Sequence, residues 1–325
     1  MSLRVGSVVF ATNQGLGILA KSFYDAGILT DVVVIEHSSR DNHPEWYPNS
    51  PLISPRELWG DVGRSLVERV DTMLFFETAF EHRLIAHARA KRVKTVMMPM
   101  YECMPRDVSY QPDLYLCPSR LDLEYYPNGV FLPIPVNVSW KKRETAKLFV
   151  HNAGHGGLMG RNGTEELLQA IYLVKSPAQF LVRAQKWPYK TPPRLGRVEV
   201  VKESVPYSEL YDKGDIFIFP EKFNGLSLPL QEAYASGMGV MCTNRYPMTT
   251  WLPTALMIPE SGVKKSQIAP RLNWFDESVV SPKDIAATID EWYGKDISIY
   301  SEKGRLWAED NSWEALKPKY IEALS

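Results

Sequence analysis

The residues of this chain best suited to chemistry fall in the stretch FIFPEKFNGLSLPLQEAYASGMGVMC, residues 217–242. Four apolar residues run into a polar turn, a helix-like segment follows, and a Ser-Gly break leads to a second apolar run. That order reads as buried strand, ligand loop, helix and buried strand. Pro229 fits the first turn of such a helix, where the amide it lacks would have no partner. The backbone N–H groups of Gly225, Leu226, Ser227 and Leu228 are then expected to be free, and the helix dipole favours an anion beside them, most obviously a phosphate. Glu232 lies about one turn further in. A carboxylate there is poor at holding phosphate but accepts two hydrogen bonds from a vicinal diol such as ribose. Anion-binding amides beside a diol-binding carboxylate point to a nucleoside diphosphate. A solvated helix glutamate behind a plain glycine turn would carry the same pattern.

The elements that must position these groups are written as alternating apolar runs and helical segments. VGSVVFAT, DVVVIE, TMLFFE, VKTVMMPM and LYLCPS read as strands. Helices are expected around ILAKSFYDAG, over 56–70 and in FEHRLIAHARAKR. Continuous apolar runs separated by helices indicate a parallel sheet covered on both faces. Two prolines and a charged run then predict an interdomain linker over 133–146. A second alternation follows, with strands in KLFVHNA, QFLVRAQ, RVEVV, DIFIFP and GVMCTN and helices over 163–174, 207–213 and 227–236. PKDIAATIDEWYG, IYSEKGRLWAED and SWEALKPKYIEAL close the chain as helices. The fold class is therefore α/β, with two doubly wound domains over 1–140 and 141–300 and with the helices of 301–325 packing back towards the first. A ligand is expected at the carboxyl ends of the strands.

Composition narrows the classes. With 325 residues the chain exceeds one small core. A formal net charge of -1 implies no global polyanion-binding surface. Cys103, Cys117 and Cys242 are odd in number and far apart, which argues against a disulfide framework or a zinc site and fits a reducing compartment. The N-terminus lacks the apolar core of a signal peptide, and no apolar run reaches the roughly 18 residues of a membrane span, so a cytoplasmic protein is expected. Three stretches are locally basic: residues 82–94, the linker segment WKKRETAK, and residues 183–202 with Trp187 and Tyr189 interleaved. The first suits contact with an anionic membrane surface and the third a nucleic-acid groove, while solvated helix faces and loops account for all three.

The segment NGLSLPLQEAYASGMGV resembles the donor-site motif of GT-B glycosyltransferases, specifically glycosyltransferase family 4, typically E-G-F-G-L-P-L-L-E-A-x-A-x-G-x-P-V. On that resemblance Glu232 falls on the second glutamate, which holds the ribose of the nucleotide. Asn224 falls on the first, which contacts hydroxyls of the donor sugar. Asn224 keeps the hydrogen bonding but not the charge, and Glu221 is the nearby carboxylate that would replace it. HNAGHGGLMGRNGTEELLQAI is similar to the first strand, loop and helix of the family's donor domain, with Arg161 on the arginine that holds the diphosphate and Asn162 in place of a lysine. VPYSELYDKGDIFIFP looks like the segment under the nucleobase, and SWEALKPKYIEAL is similar to the last helix. NQGLGILAKSFYDAG resembles the Gly-rich first loop facing the donor phosphates, which implies Gly15 and Gly17 there, with a simple helix-entry turn as the alternative. Many members place a histidine after the strand that here reads VMMPMYECMP. None occurs, so Glu102 is the nearest candidate to meet acceptor or sugar and Glu77 the second, with a strand-end carboxylate in solvent or a cap as the plain alternative. His43, Trp46 and Tyr47 are candidates to line an acceptor pocket or are packing aromatics.

The resemblance implies two Rossmann-like domains facing each other across a cleft. It implies a retaining glycosyltransferase that moves a sugar from a UDP- or GDP-sugar to a hydroxyl of a glycan, a lipid-linked glycan or a small molecule. Neither a prosthetic group nor a metal is expected, and no Asp-x-Asp motif is present. Charge on the departing phosphate would be met by Arg161 and the backbone amides of the 225–228 turn. Two alternatives stand beside this: a nucleic-acid acceptor such as hydroxymethylated DNA bases, and a non-catalytic nucleotide-sugar binder motivated by Asn224 and Asn162.

Overall fold

The computed structural model describes residues 3–108, 111–155, 157–187 and 196–325. The chain divides into two compact units, one of residues 1–134, 269–273 and 313–325, the other of residues 135–268 and 274–312. The first holds a seven-stranded parallel sheet of β1 (Val5–Phe10), β2 (Asp31–Ile35), β3 (Leu52–Ile53), β4 (Thr72–Glu77), β5 (Lys94–Pro99), β6 (Leu114–Cys117) and β7 (Val130–Phe131) in the order β3-β2-β1-β4-β5-β6-β7. Its helices are α1 (Gly15–Asp25), α2 (Asp61–Glu68), α3 (Arg83–Ala90) and α4 (Arg120–Tyr125). The strands read as unbroken apolar runs because both faces are covered. On one face Val8, Val33, Phe75 and Met97 pack against Leu66 and Val67 of α2 and Leu84, Ile85 and Ala88 of α3. The apolar side of the basic stretch 82–94 is thus committed to this core and is not available to a membrane.

The second unit holds five parallel strands, β8 (Leu148–Gly154), β9 (Gln179–Ala184), β10 (Val198–Val201), β11 (Ile216–Phe219) and β12 (Gly239–Cys242), in the order β10-β9-β8-β11-β12. Alternation along β11 feeds both faces, as the period of a strand requires. Ile216 and Ile218 join Leu167 and Ile171 of α5 (Thr164–Ile171) on one side. Phe217 and Phe219 join Leu230, Ala233 and Tyr234 of α6 (Leu228–Ala235) on the other. Ile285 and Ile289 of α7 (Pro282–Trp292) complete the first of these layers, and α8 (Ser298–Asp310) packs along α6. The last helix, α9 (Trp313–Leu324), belongs to the first unit, where Trp313 and Tyr320 each meet Phe23 edge-on at 4.9 Å.

The first unit has two short strands, β3 and β7, and a helix, α4, beyond those expected, and two differences fall in the second unit. Residues 207–213 form only a single 3-10 turn, Tyr207–Glu209, between Pro206 and the left-handed Gly214. Strands β13 (Gly262–Ser266) and β14 (Phe275–Val279) form an antiparallel hairpin that no apolar run announces. Cross-strand charges mark it instead: Lys265 pairs with Asp276 at 2.7 Å and Lys264 with Glu277 at 3.1 Å.

Candidate functional site

In the second unit the strand order reverses between β8 and β11, so the loops leaving those strands diverge from one edge of the sheet. Gly163 brings them together. Its φ is +66°, and a Cβ there would lie 2.1 Å from the carbonyl oxygen of Pro220. The Lys222 amide donates to the Arg161 carbonyl at 2.7 Å, which ties the second loop to the first. Gly154, Gly157, Gly160 and Gly163 all have positive φ, as does Met159 at 53°, so the backbone turns repeatedly through the left-handed region on either side of Arg161. Asn162, on the position expected for a lysine, is buried and donates to the Ala153 carbonyl at 3.0 Å, which makes it a brace of this loop. A cation that the sequence reading missed stands beside Arg161: Lys222 Nζ pairs with Glu166 at 2.7 Å, with both side chains largely covered.

The loop after β11 then enters α6 through Ser227, a non-glycine residue at φ 46° with no exposed surface. Its Oγ has no hydrogen-bond partner among the described residues. Of the four amides expected to be free, those of Leu226 and Ser227 are not: both donate to Asn224 Oδ1 at 3.0 Å. The amides of Gly225 and Leu228 make no hydrogen bond to another described residue. Asn224 itself is buried, and its Nδ2 donates to Glu221 Oε1 at 2.9 Å. Glu221 is buried too, and its other oxygen pairs with Arg245 at 3.2 Å. Arg245 also donates to the Asn224 carbonyl at 2.8 Å. Asn224 and Glu221, expected to reach a donor sugar, are thus both engaged within the turn itself. The short amide folds back on its own turn, and the buried carboxylate requires its ion pair. Arg245 has no local signal in the sequence, since it acts on residues 21 and 24 positions away.

Glu232 sits on α6 with its carboxyl group held by two phenols, accepting from Tyr207 Oη at 2.7 Å and from Tyr211 Oη at 2.6 Å. Burial raises its pKa, and the two tyrosine hydrogen bonds pull the other way. The phenols are pushed up in turn, first by burial and then by the charge of Glu232. Behind them the ring of His151 bridges the Ile218 carbonyl and Thr164 Oγ1, both at 2.8 Å. Burial pushes that imidazole down to about 4, so it is neutral and ties β8 to β11 and α5.

In the first unit the order reverses between β1 and β4. Gly15 opens α1, and a Cβ on Gly17 would lie 2.1 Å from the Thr12 carbonyl oxygen, so glycine alone lets the helix start press against the end of β1. Glu77 ends β4 in the left-handed region at φ 63°, where the Thr78 amide closes a tight turn on the Phe76 carbonyl at 2.7 Å. Gly15, Gly17 and Glu77 thus stand on the two segments that leave this switch point. Glu102 lies two strands away, in the 3-10 turn Tyr101–Cys103 after β5. It is buried, so the reading of a carboxylate in open solvent falls for it. Asp122 accepts the Tyr101 amide at 2.9 Å and a hydrogen bond from Ser119 Oγ. Burial, and then the charge of Glu102, push Asp122 up to about 7 against those hydrogen bonds. The aromatic trio divides: Tyr47 is buried edge-on against Tyr24, whereas His43 and Trp46 stack at 5.0 Å, and the His43 amide bonds the Ala11 carbonyl just past β1. In the stretch 183–202, Lys202 Nζ lies 5.4 Å from the Trp187 ring, and Tyr189 falls outside the described residues. Among the described residues no group of three His, Cys, Asp or Glu could hold a metal ion, and no helix is long and apolar enough to cross a membrane.

No protein-family model matches the chain, and no curated protein matches it in sequence. Solved structures match over nearly its whole length. Anabaena Alr3699/HepE in complex with UDP aligns with a TM-score of 0.69 at 10% identity, covering 99% of each chain. Sucrose-phosphate synthase from Thermosynechococcus elongatus aligns with a TM-score of 0.66 at 12% identity, over 99% of this chain and 98% of that one. The fold is GT-B. A glycosyltransferase from Rickettsia africae shares it, with a TM-score of 0.64 at 12% identity over 99% of this chain and 98% of that one. Within the GT-B frame, the 154–163 loop, the 220–228 loop and Glu232 all belong to the five-stranded half.

Proposed function

We propose that this GT-B chain is a retaining glycosyltransferase that takes a sugar from a UDP- or GDP-sugar and passes it to an acceptor hydroxyl on a glycan, a lipid-linked glycan or a small molecule. One observation carries the reading. The buried start of α6 presents the amides of Gly225 and Leu228 and the Oγ of Ser227, which have no hydrogen-bond partner among the described residues, with the carboxylate of Glu232 about one turn along the same helix. Amide donors at a helix N-terminus suit a diphosphate, and a fixed carboxylate suits the adjoining pentose diol. Arg161 and Lys222, on the two loops that meet at Gly163, supply the positive charge.

In the reaction the bond between the anomeric carbon and the donor phosphate breaks as the acceptor hydroxyl attacks from the same face, its proton passing to the departing phosphate oxygen, so the configuration is kept. Negative charge gathers on the leaving diphosphate, where preorganised cations and dipoles lower the barrier. Arg161, Lys222 and the two amides take that charge, and no step of this reading calls for a metal. Gly15 and Gly17, at the switch point of the first unit, are proposed to face the donor phosphates and the acceptor, with Glu77 and Glu102 as the carboxylates that meet the acceptor or the sugar. Asn224 and Glu221 act by shaping the loop. Two of the structural neighbours were solved with nucleotides, HepE with UDP and starch synthase IV from Arabidopsis thaliana with ADP and acarbose. A thermal-shift panel of UDP, GDP, ADP and their sugars, followed by a donor-hydrolysis assay on any that binds, tests the proposal. Stabilisation by a nucleoside diphosphate with slow release of free sugar is the expected result. Binding without any turnover would make the chain a nucleotide-sugar receptor, and no binding at all would overturn the reading.

A further inference from the structure

Tyr207 and Tyr211 stand four residues apart in the segment between β10 and β11, and each donates to a different oxygen of Glu232. A carboxylate oxygen has two lone-pair positions, so one on each oxygen is filled and one on each remains. The turn that carries both phenols is fixed from the sheet. Arg183, buried on β9, donates to the Leu210 carbonyl at 2.6 Å, and Asn152 on β8 reaches the same carbonyl at 3.4 Å. The ring of Tyr211 also packs edge-on against Phe217 of β11 at 5.8 Å. Pinned phenols of this kind restrict how the carboxylate rotates and which way its free lone pairs face.

We infer that Tyr207 and Tyr211 are positioning residues: they hold the Glu232 carboxylate so that the remaining lone pair of each oxygen accepts one of the two vicinal hydroxyls of a ribonucleoside diphosphate, and the site thereby selects ribonucleotides over nucleotides lacking those hydroxyls. This rests on the donor-site reading of Glu232. A carboxylate free to turn would bond either one hydroxyl or bulk water, and discrimination would weaken. A pocket built around a hydrogen-bonding group penalises the analogue that leaves the group unpaired.

Titration calorimetry with UDP and GDP, each against its 2′,3′-dideoxy analogue, tests the inference on the wild type, Tyr207→Phe, Tyr211→Phe, the double Phe variant and Glu232→Gln. Phenylalanine keeps the ring and removes only the donor. Wild type should prefer the ribonucleotide by a factor of at least about 30, and the double Phe variant should narrow that preference about tenfold with the dideoxy affinity unchanged. A Phe variant that weakens ribo and dideoxy forms equally would show that the phenols serve the fold, and the inference would fall. An unchanged preference in the Phe variants, beside a collapsed one in Glu232→Gln, would also sink it while leaving the donor site standing. No preference in the wild type, or a full preference in Glu232→Gln, would remove Glu232 from the pentose and the inference with it.

Discussion

Two sheet edges of this protein each hold a carboxyl group, half-buried at one and fully buried at the other, in contrasting surroundings. In the five-stranded half Glu232 is surrounded by neutral donors, two phenols whose own ionisation is suppressed. In the seven-stranded half Asp122 shares its surroundings with a second buried carboxylate, Glu102, and titrates at about 7. Burial disfavours the charged form in both places. Both carboxyl groups accept hydroxyl hydrogen bonds; what differs is the second acid, Glu102, whose charge adds to burial in favouring the proton on Asp122. On the proposed reading one edge grips a diol, while the other holds a carboxyl group raised to about 7.

The largest effect expected bears on the donor edge. Arg161→Ala should lower kcat by roughly 100- to 1,000-fold, as loss of a group that stabilises transition-state charge does, and steady-state kinetics with an accepted donor would show it. Unchanged kinetics would take Arg161 out of the site. Glu232→Ala comes next and should weaken nucleoside diphosphate binding by about 100-fold in calorimetry, since two charge-assisted hydrogen bonds are lost. Asp122→Asn probes the other edge. The carboxyl of Asp122 is raised in the fold from 3.8 to about 7, so its stabilising contribution is complete below the lower value and is lost as pH rises through the higher one. Melting temperatures between pH 4 and 8 should fall more steeply for wild type than for Asp122→Asn, by the equivalent of roughly 2–4 kcal/mol across the window. Parallel curves would break the contrast between the edges. The smallest effect belongs to Gly17→Ala. Alanine normally stabilises a helix interior, but the clash with the Thr12 carbonyl should reverse the sign and cost about 1–2 kcal/mol in denaturant unfolding.

Periodicity was enough to read the second sheet and five of the seven strands of the first, because buried parallel strands leave unbroken apolar runs such as IFIF and TMLFFE, whereas the two-residue strands β3 and β7 leave none. It also placed Glu232 inside a helix behind a glycine turn. What it missed are pairs set by the third dimension. Arg245 acts on Asn224 and Glu221 from across β12, and Asp122 meets the turn of Glu102 from 21 residues away. The tyrosines of Glu232 lie 21 and 25 positions upstream of it in a segment where a helix was expected. The bonds Asn224 makes within its turn did have a local signal: Asn two or three residues before amides in a glycine turn tends to bond them itself. The β13–β14 hairpin escaped notice because its alternating charges look like a loop until the two strands are seen side by side.

Helix α9 is the final segment of the chain, yet its Trp313 and Tyr320 close over Phe23, and Tyr320 Oη bonds the Pro133 carbonyl at 2.9 Å. The seven-stranded half is thus assembled from both termini. A protease that severs the backbone once between residues 135 and 268 leaves two polypeptides that share one hydrophobic interior. They should migrate as a single particle in gel filtration and separate only when denatured.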